Sequence, residues 1–133
     1  MSRLECDQLQ HQLRLLLDVR HLTTLQHPCV VKVLGFTLDR SGRWALVMPL
    51  YELGSLSHPR PGALVTRSAL PRILHCVATA LQHVHDAGYI HGDVKESNVL
   101  LHMDRHAGPD KVLCGVLADF GSIQRIDAPR KLA

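Results

Sequence analysis

The sequence predicts an α+β fold, and three observations carry the prediction. Apolar residues recur at helical spacing from Leu4 to Leu25 and again from Ala69 to Ala87. Between these segments lie a β-branched, partly alternating run, Val30 to Thr37, and a short apolar run, Trp44 to Met48, separated by the turn-forming Asp39-Arg40-Ser41-Gly42-Arg43. Two further apolar runs, Val99 to Leu101 and Val112 to Leu117, are too short for helices and flank a polar stretch.

Each element follows from its local text. In the first helix, Leu9, Leu13, Leu16 and Leu17 repeat at three- and four-residue spacing, and Leu22 and Leu25 continue the stripe. His27-Pro28 ends it, because a residue before proline avoids the helical region. These two runs read as a hairpin, and Pro49 stops its ladder. Pro59, Pro61 and Gly62 make Gly54 to Pro71 a connector with little regular structure. In the second helix Ile73, Leu74, Val77, Ala80, Leu81 and Val84 form the expected buried stripe, and Gly88 is the natural residue just past its end. Val99 to Leu101 and Val112 to Leu117 read as strands, with His102 to Lys111 as a loop containing Gly108-Pro109. The tail beyond Gly121 has no strong periodicity.

Composition limits what this fold can do. With 133 residues, 46% hydrophobic and 20% charged, the chain fits one globular domain. A net charge of +3, without a run of Lys or Arg, gives no footing for nucleic-acid binding. No apolar run reaches the roughly 18 residues that would span a bilayer, and the polar N-terminus has no signal-peptide core. Cys6, Cys29, Cys76 and Cys114 form no Cys-x-x-Cys pair, so they read as free thiols in a reducing compartment, cytoplasmic or nuclear.

The chemistry concentrates in Tyr89-Ile90-His91-Gly92-Asp93-Val94-Lys95-Glu96-Ser97-Asn98, followed further on by Ala118-Asp119-Phe120-Gly121. An acid, a lysine two residues on, an asparagine three further on and a second acid before Phe-Gly are the parts for phosphoryl transfer from metal-bound ATP. The first acid can take the proton of an attacking hydroxyl, the lysine can neutralise phosphoryl charge, and the asparagine and second acid can hold a cation. The plainer alternative is that these polar residues only cap turns, which does not explain four of them in register.

These motifs resemble the catalytic loop and Asp-Phe-Gly segment of protein kinases. The resemblance runs from Leu4 to about Ile123 in the family's own order. It implies a protein-kinase-like α+β fold: a partial N-lobe (residues 4–48, with the αC helix and strands four and five), a hinge (49–57) and the start of the helical C-lobe (58–133). It implies Asp93 and Lys95 as catalytic residues and Asn98 and Asp119 as Mg2+ ligands. By the same resemblance Met48 would take the gatekeeper position, Pro49 and Tyr51 would face the adenine of ATP, Ser55 would meet its ribose, and Leu100 would lie beneath the ring. Glu96-Ser97 after Lys95 looks like the serine/threonine type, while Val-Leu-Gly-Phe-Thr and Gly54-Ser55-Leu56 resemble the tyrosine-kinase-like group.

Departures from the family pattern matter as well. Gly92 stands where the family usually has the arginine that pairs with a phosphorylated activation loop, which puts that mode of regulation in doubt. Asp18 occupies the place of the αC glutamate, one methylene short. Leu22, Val33, His91 and Phe120 fall on the packed column that links the lobes, and a buried His91 needs a backbone hydrogen bond there. Paired histidines (His102 with His106, His83 with His85) complete no clear metal site, and Cys76 or Cys114 as nucleophiles would sit in apolar surroundings.

The 133 residues contain neither a glycine-rich phosphate loop nor a strand-three lysine. The expectation is therefore a kinase acting on a protein substrate, truncated to αC through Asp-Phe-Gly. The alternative is an inactive interaction module built from kinase parts. In either case Ile73, Val77, Leu81 and Val84, deprived of the large C-lobe helices, would form an exposed apolar patch open to a protein partner.

Overall fold

The computed structural model describes residue 20 and residues 25–104 and 112–127. The expected first helix, with Asp18 and Leu22, lies outside the described residues except for Arg20 and Leu25. His106 and the rest of 105–111 lie outside them too. The observed order is β1 (Gly35–Leu38), β2 (Trp44–Val47), α1 (Leu70–Asp86), β3 (Tyr89–Ile90), a 3-10 turn (Glu96–Asn98), β4 (Val99–Asp104), β5 (Val112–Leu117) and β6 (Gln124–Arg125). Among the described residues the strands pair as three antiparallel two-stranded sheets: β1 with β2, β3 with β6, and β4 with β5.

The hairpin forms where expected, with Gly35 opposite Val47 and Leu38 opposite Trp44. Asp39 builds its turn. Its carboxylate accepts the N–H groups of Ser41 at 2.8 Å and Arg43 at 2.9 Å and the Arg43 Nε–H at 3.0 Å. These bonds hold the Asp39 carboxyl below the usual carboxylate range, the Arg43 backbone N–H contributing most. The first strand is shorter than expected. Val30 and Val31 leave the hairpin and pair with β5 instead. Val30 forms a parallel bridge with Leu117, and the Val31 N–H donates to the Leu117 carbonyl at 2.9 Å. The reason is burial: both valines are buried, and adjacent strand residues cannot both face the core of a hairpin that is open to solvent on one face.

Helix α1 matches its expected limits to within a residue at each end. Pro71 sits in the first turn, where its missing N–H has no helical partner to lose. Gly88 adopts φ +89°, and its N–H donates to the His85 carbonyl at 2.9 Å. Ile73, Val77, Ala80 and Val84 are buried as expected, while Leu74 is 55% exposed. Leu74 lies about 100° around the helix from Ile73, and Cys76 takes the flank of the stripe instead.

The expectation that Ile73, Val77, Leu81 and Val84 form an exposed patch is not met. Ile73, Val77 and Val84 are buried and Leu81 is half-buried, because α1 packs against β5 and β3. Each fully buried aliphatic side chain of this size contributes about 1.5–3 kcal/mol. The large exposed apolar side chains gather elsewhere, notably on the hairpin at Leu34, Phe36, Leu38 and Met48.

β4 runs on to Asp104, past the expected end at Leu101. The ladder continues through His102 opposite Cys114 to Asp104 opposite Val112, so part of the expected loop is strand. Two cores result. One joins Leu25, Val30 and Val31 to Ala80, Val84, Leu117 and Phe120. The other joins Ala63, Ile73 and Val77 to Val99, Leu101 and Leu113. β4 and β5 border both, and they carry the segments that hold the polar residues of interest. No helix of the described residues is long and apolar enough to cross a membrane.

Candidate active site

Asn98 organises the loop before β4. It is buried, and its own N–H donates to the Lys95 carbonyl at 3.0 Å, closing the 3-10 turn. A buried side-chain amide must find partners. Here its Nδ2 donates to the Asp93 backbone carbonyl at 2.8 Å and to Asp93 Oδ2 at 3.1 Å. The direction of the Asp93 carboxylate is therefore set by a residue five positions later. Lys95 Nζ lies 3.5 Å from the same Oδ2. At side-chain exposures of 56% and 36% this ion pair contributes only about 0–1 kcal/mol. It orients two charges more than it holds the fold together.

His91 is fully buried and makes two backbone bonds. Its Nδ1 accepts the Asp93 N–H at 3.1 Å, so Nε2 carries the proton given to the Ala118 carbonyl at 2.9 Å. The backbone bond required for its burial is present. Its ring meets Phe120 edge-on, with centroids 4.8 Å apart. Phe120 and Val33 share the first core, which joins the described part of the expected column. Ala118 also donates its N–H to the Asn98 carbonyl at 2.8 Å. Ala118 is thus tied to both halves of the loop, and Asp119 follows directly. Asp119 adopts φ +56°, a left-handed conformation that aspartate tolerates, and its Oδ1 accepts the Gly121 N–H at 3.3 Å.

A second group forms where residues 54–56 run antiparallel to the start of β4. Ser55 bridges Leu100, the Leu56 N–H donates to the Val99 carbonyl at 2.8 Å, and the Leu101 N–H donates to the Gly54 carbonyl at 2.9 Å. Tyr51 packs with Leu100 against the first core, and its hydroxyl accepts the Lys32 N–H at 3.4 Å. Ser55 Oγ also accepts the His58 N–H and lies 2.9 Å from Ser57 Oγ. The structure thus brings Asp93, Lys95 and Asn98 together, with Asp119 next in the chain to Ala118, which bonds Asn98, and it brings Tyr51, Ser55 and Leu100 together. Met48 and Pro49 stand just past β2, and no hydrogen bond among the described residues joins them to either group.

The competing constellations do not assemble. His83 and His85 lie on α1, and among the described residues no three His, Cys, Asp or Glu side chains converge as a metal site. Cys29, Cys76 and Cys114 are free, and burial pushes the Cys114 thiol up to about 11, against a nucleophilic role.

Sequence reasoning missed the contact at Gly92. Its φ is +84°, and a Cβ there would stand 2.8 Å from the Ser122 carbonyl oxygen. Gly92→Arg, which restores the residue usual in the family, is expected to cost about 1–3 kcal/mol through left-handed backbone strain and this collision. The check is the urea midpoint, which should fall. An unchanged midpoint would mean that residues 92 and 122 do not hold this approach in solution.

Residues 3–133 match the protein kinase domain model, so the chain belongs to the protein kinase domain family. It is similar to the human receptor-interacting serine/threonine-protein kinase 1, at 32% identity over 99 residues, covering 74% of this chain and 15% of that protein. It is similar to the serine/threonine-protein kinase PkaB of Streptomyces coelicolor, at 38% identity over 112 residues, covering 83% of this chain and 26% of that protein. The mouse serine/threonine-protein kinase TNNI3K matches at 35% over 109 residues, 78% of this chain and 12% of that protein. The chain therefore spans about a quarter or less of the length of these relatives.

Proposed function

We propose that these residues form the Mg-ATP-binding and catalytic part of a protein serine/threonine kinase that phosphorylates a protein hydroxyl. In this reading residues 4–48 belong to the N-lobe, 49–57 are the hinge and 58–133 begin the C-lobe. The observation that carries it is the pair of hydrogen bonds from the buried Asn98 amide to Asp93. They aim one carboxylate while engaging the amide nitrogen Nδ2, which leaves the side-chain oxygen Oδ1 of Asn98 for a ligand. Asn98 and the Asp119 carboxylate are oxygen donors, the kind that suits Mg2+, which takes few protein ligands alongside phosphate oxygens and water. When bound, the ion neutralises charge on the phosphates.

Asp93 then accepts the proton of the incoming hydroxyl, and Lys95, held beside it, offers positive charge to the phosphoryl group. Tyr51, Ser55 and Leu100 line the nucleoside side, with Met48 and Pro49 completing it at the strand end. A second reading is an interaction module without turnover. It is favoured by the apolar face of the β1–β2 hairpin, where Leu34, Phe36 and Leu38 are each more than half exposed.

A thermal melt separates the two readings, since a ligand that binds only the folded form raises its midpoint. With Mg-ATP the midpoint should rise in the wild type and stay put in Asp119→Asn. A wild-type midpoint indifferent to Mg-ATP would remove the nucleotide reading and leave the interaction module.

A further inference from the structure

The segment 27–31 touches both β5 and α1, and different contacts hold it to each. On the β5 side the Leu117 N–H donates to the Cys29 carbonyl at 2.7 Å, and the Val31 N–H donates to the Leu117 carbonyl at 2.9 Å. On the α1 side the His27 ring rests against the His83 ring, with centroids 5.0 Å apart and planes tilted by 33°. His27 also shapes its own segment. Its Nδ1 accepts the Cys29 N–H at 3.0 Å, so the neutral ring carries its proton on Nε2. Nε2 of His83 is buried and meets no hydrogen-bond partner among the described residues.

We propose that the stacked His27 and His83 rings are an acid-sensitive latch, which docks the 27–31 segment on α1 while His27 is neutral and frees it when His27 takes up a proton. A second proton on this ring must go to Nδ1, the atom that accepts the Cys29 N–H. That bond is then lost, and the Cys29 N–H is left facing another donor. The new charge also lies against the His83 ring, whose buried Nε2 has no described partner to compensate it. The carbonyl of the same Cys29 holds Leu117, so loosening at His27 passes directly to the two bonds that join the segment to β5.

The surroundings offer the proton little compensation. Among the described residues no carboxylate forms an ion pair with either ring. Asp86, three residues beyond His83 on α1, is exposed, and exposed charges are screened by water. Lys32 lines the same cavity as His27 and is itself positive. The other titratable groups on the neighbouring elements are Cys76 of α1, Tyr89 of β3, and Cys29 and Cys114, whose thiols burial keeps neutral. Burial first, and then the His83 ring, lower His27 below its ordinary 6.5. The released segment therefore binds the proton before the docked one does. Docking is at full strength above pH 6.5 and weakens as the pH falls from there through the lowered value, by up to about tenfold per pH unit for one proton.

The test is amide hydrogen exchange of the full chain at about pH 7.5 and about pH 5.5, resolved by residue and corrected for the intrinsic rate at each pH. The expected result is a loss of protection in acid at the Val31 and Leu117 N–H groups, while the Leu101 N–H, which donates to the Gly54 carbonyl, keeps its own. His27→Asn should abolish the pH dependence, since an asparagine oxygen can accept the N–H two residues on and takes up no proton. The His27 ring, followed by NMR in the wild type, should titrate over the range in which protection is lost. Unchanged protection at Val31 and Leu117, an equal loss at Leu101, a loss that persists in His27→Asn, or a His27 ring that titrates outside that range would each overturn the proposal. The ring titration and the comparison of Leu117 with Leu101 use the wild type, so the outcome does not depend on any variant folding.

Discussion

Asp93→Ala is expected to lower phosphoryl transfer by about 10²–10⁴-fold in any active polypeptide that carries these residues, the range associated with losing a positioned general base. The fold should hardly notice. Asn98 keeps its 2.8 Å bond to the backbone carbonyl of residue 93, which alanine also has, and His91 keeps the residue 93 N–H. The ion pair that is lost is exposed and contributes little. A steady-state assay beside a melting curve separates the effects: the rate should collapse while the midpoint stays close to wild type. A variant that keeps its rate would remove Asp93 from the chemistry. The 133 residues on their own are expected to transfer phosphate only at background, because the glycine-rich loop and strand lysine that position phosphates in this family are not among them.

Leu117→Ala should have the largest effect on stability. Leu117 is fully buried in the first core, and its backbone bonds both Cys29 and Val31. Alanine preserves those backbone bonds, so the loss is one of packing alone, about 2–5 kcal/mol for a leucine whose cavity cannot fully collapse. Against a total of about 5–15 kcal/mol, that is enough to leave a marginal domain largely unfolded. Urea unfolding followed by circular dichroism measures it. A change under about 0.5 kcal/mol, the size of a surface substitution, would mean that this side chain is not the core residue described.

The elements that can be read in the sequence are those whose signal is local. The stripe from Ile73 to Val84 and the turn residues from Asp39 to Arg43 each contain their own explanation. β3 and β6 cannot be read, because strands of two residues carry no period and exist only where Tyr89 meets Arg125. Val30 and Val31 read as hairpin residues because β-branched text does not name its partner, and the partner is Leu117. At the candidate site, the grouping of Asp93, Lys95 and Asn98 is legible from spacing within one loop. The approach of Gly92 to Ser122 and the double attachment of Ala118 are not, since each depends on two segments meeting after the chain has folded back on itself.

The Val30–Leu117 bridge also bears on the order of assembly. Its two residues stand far apart in the chain, so closing it carries a large loop entropy before any contact offsets it. Helix α1 with the β4–β5 hairpin is built from contacts much nearer in sequence, and can form first. During synthesis the segment at Val30 therefore waits for β5 to emerge, and Asp119 follows only two residues behind Leu117. The segment at Val30 and Val31 therefore docks at the moment when the loop bearing Asp93 gains its neighbour.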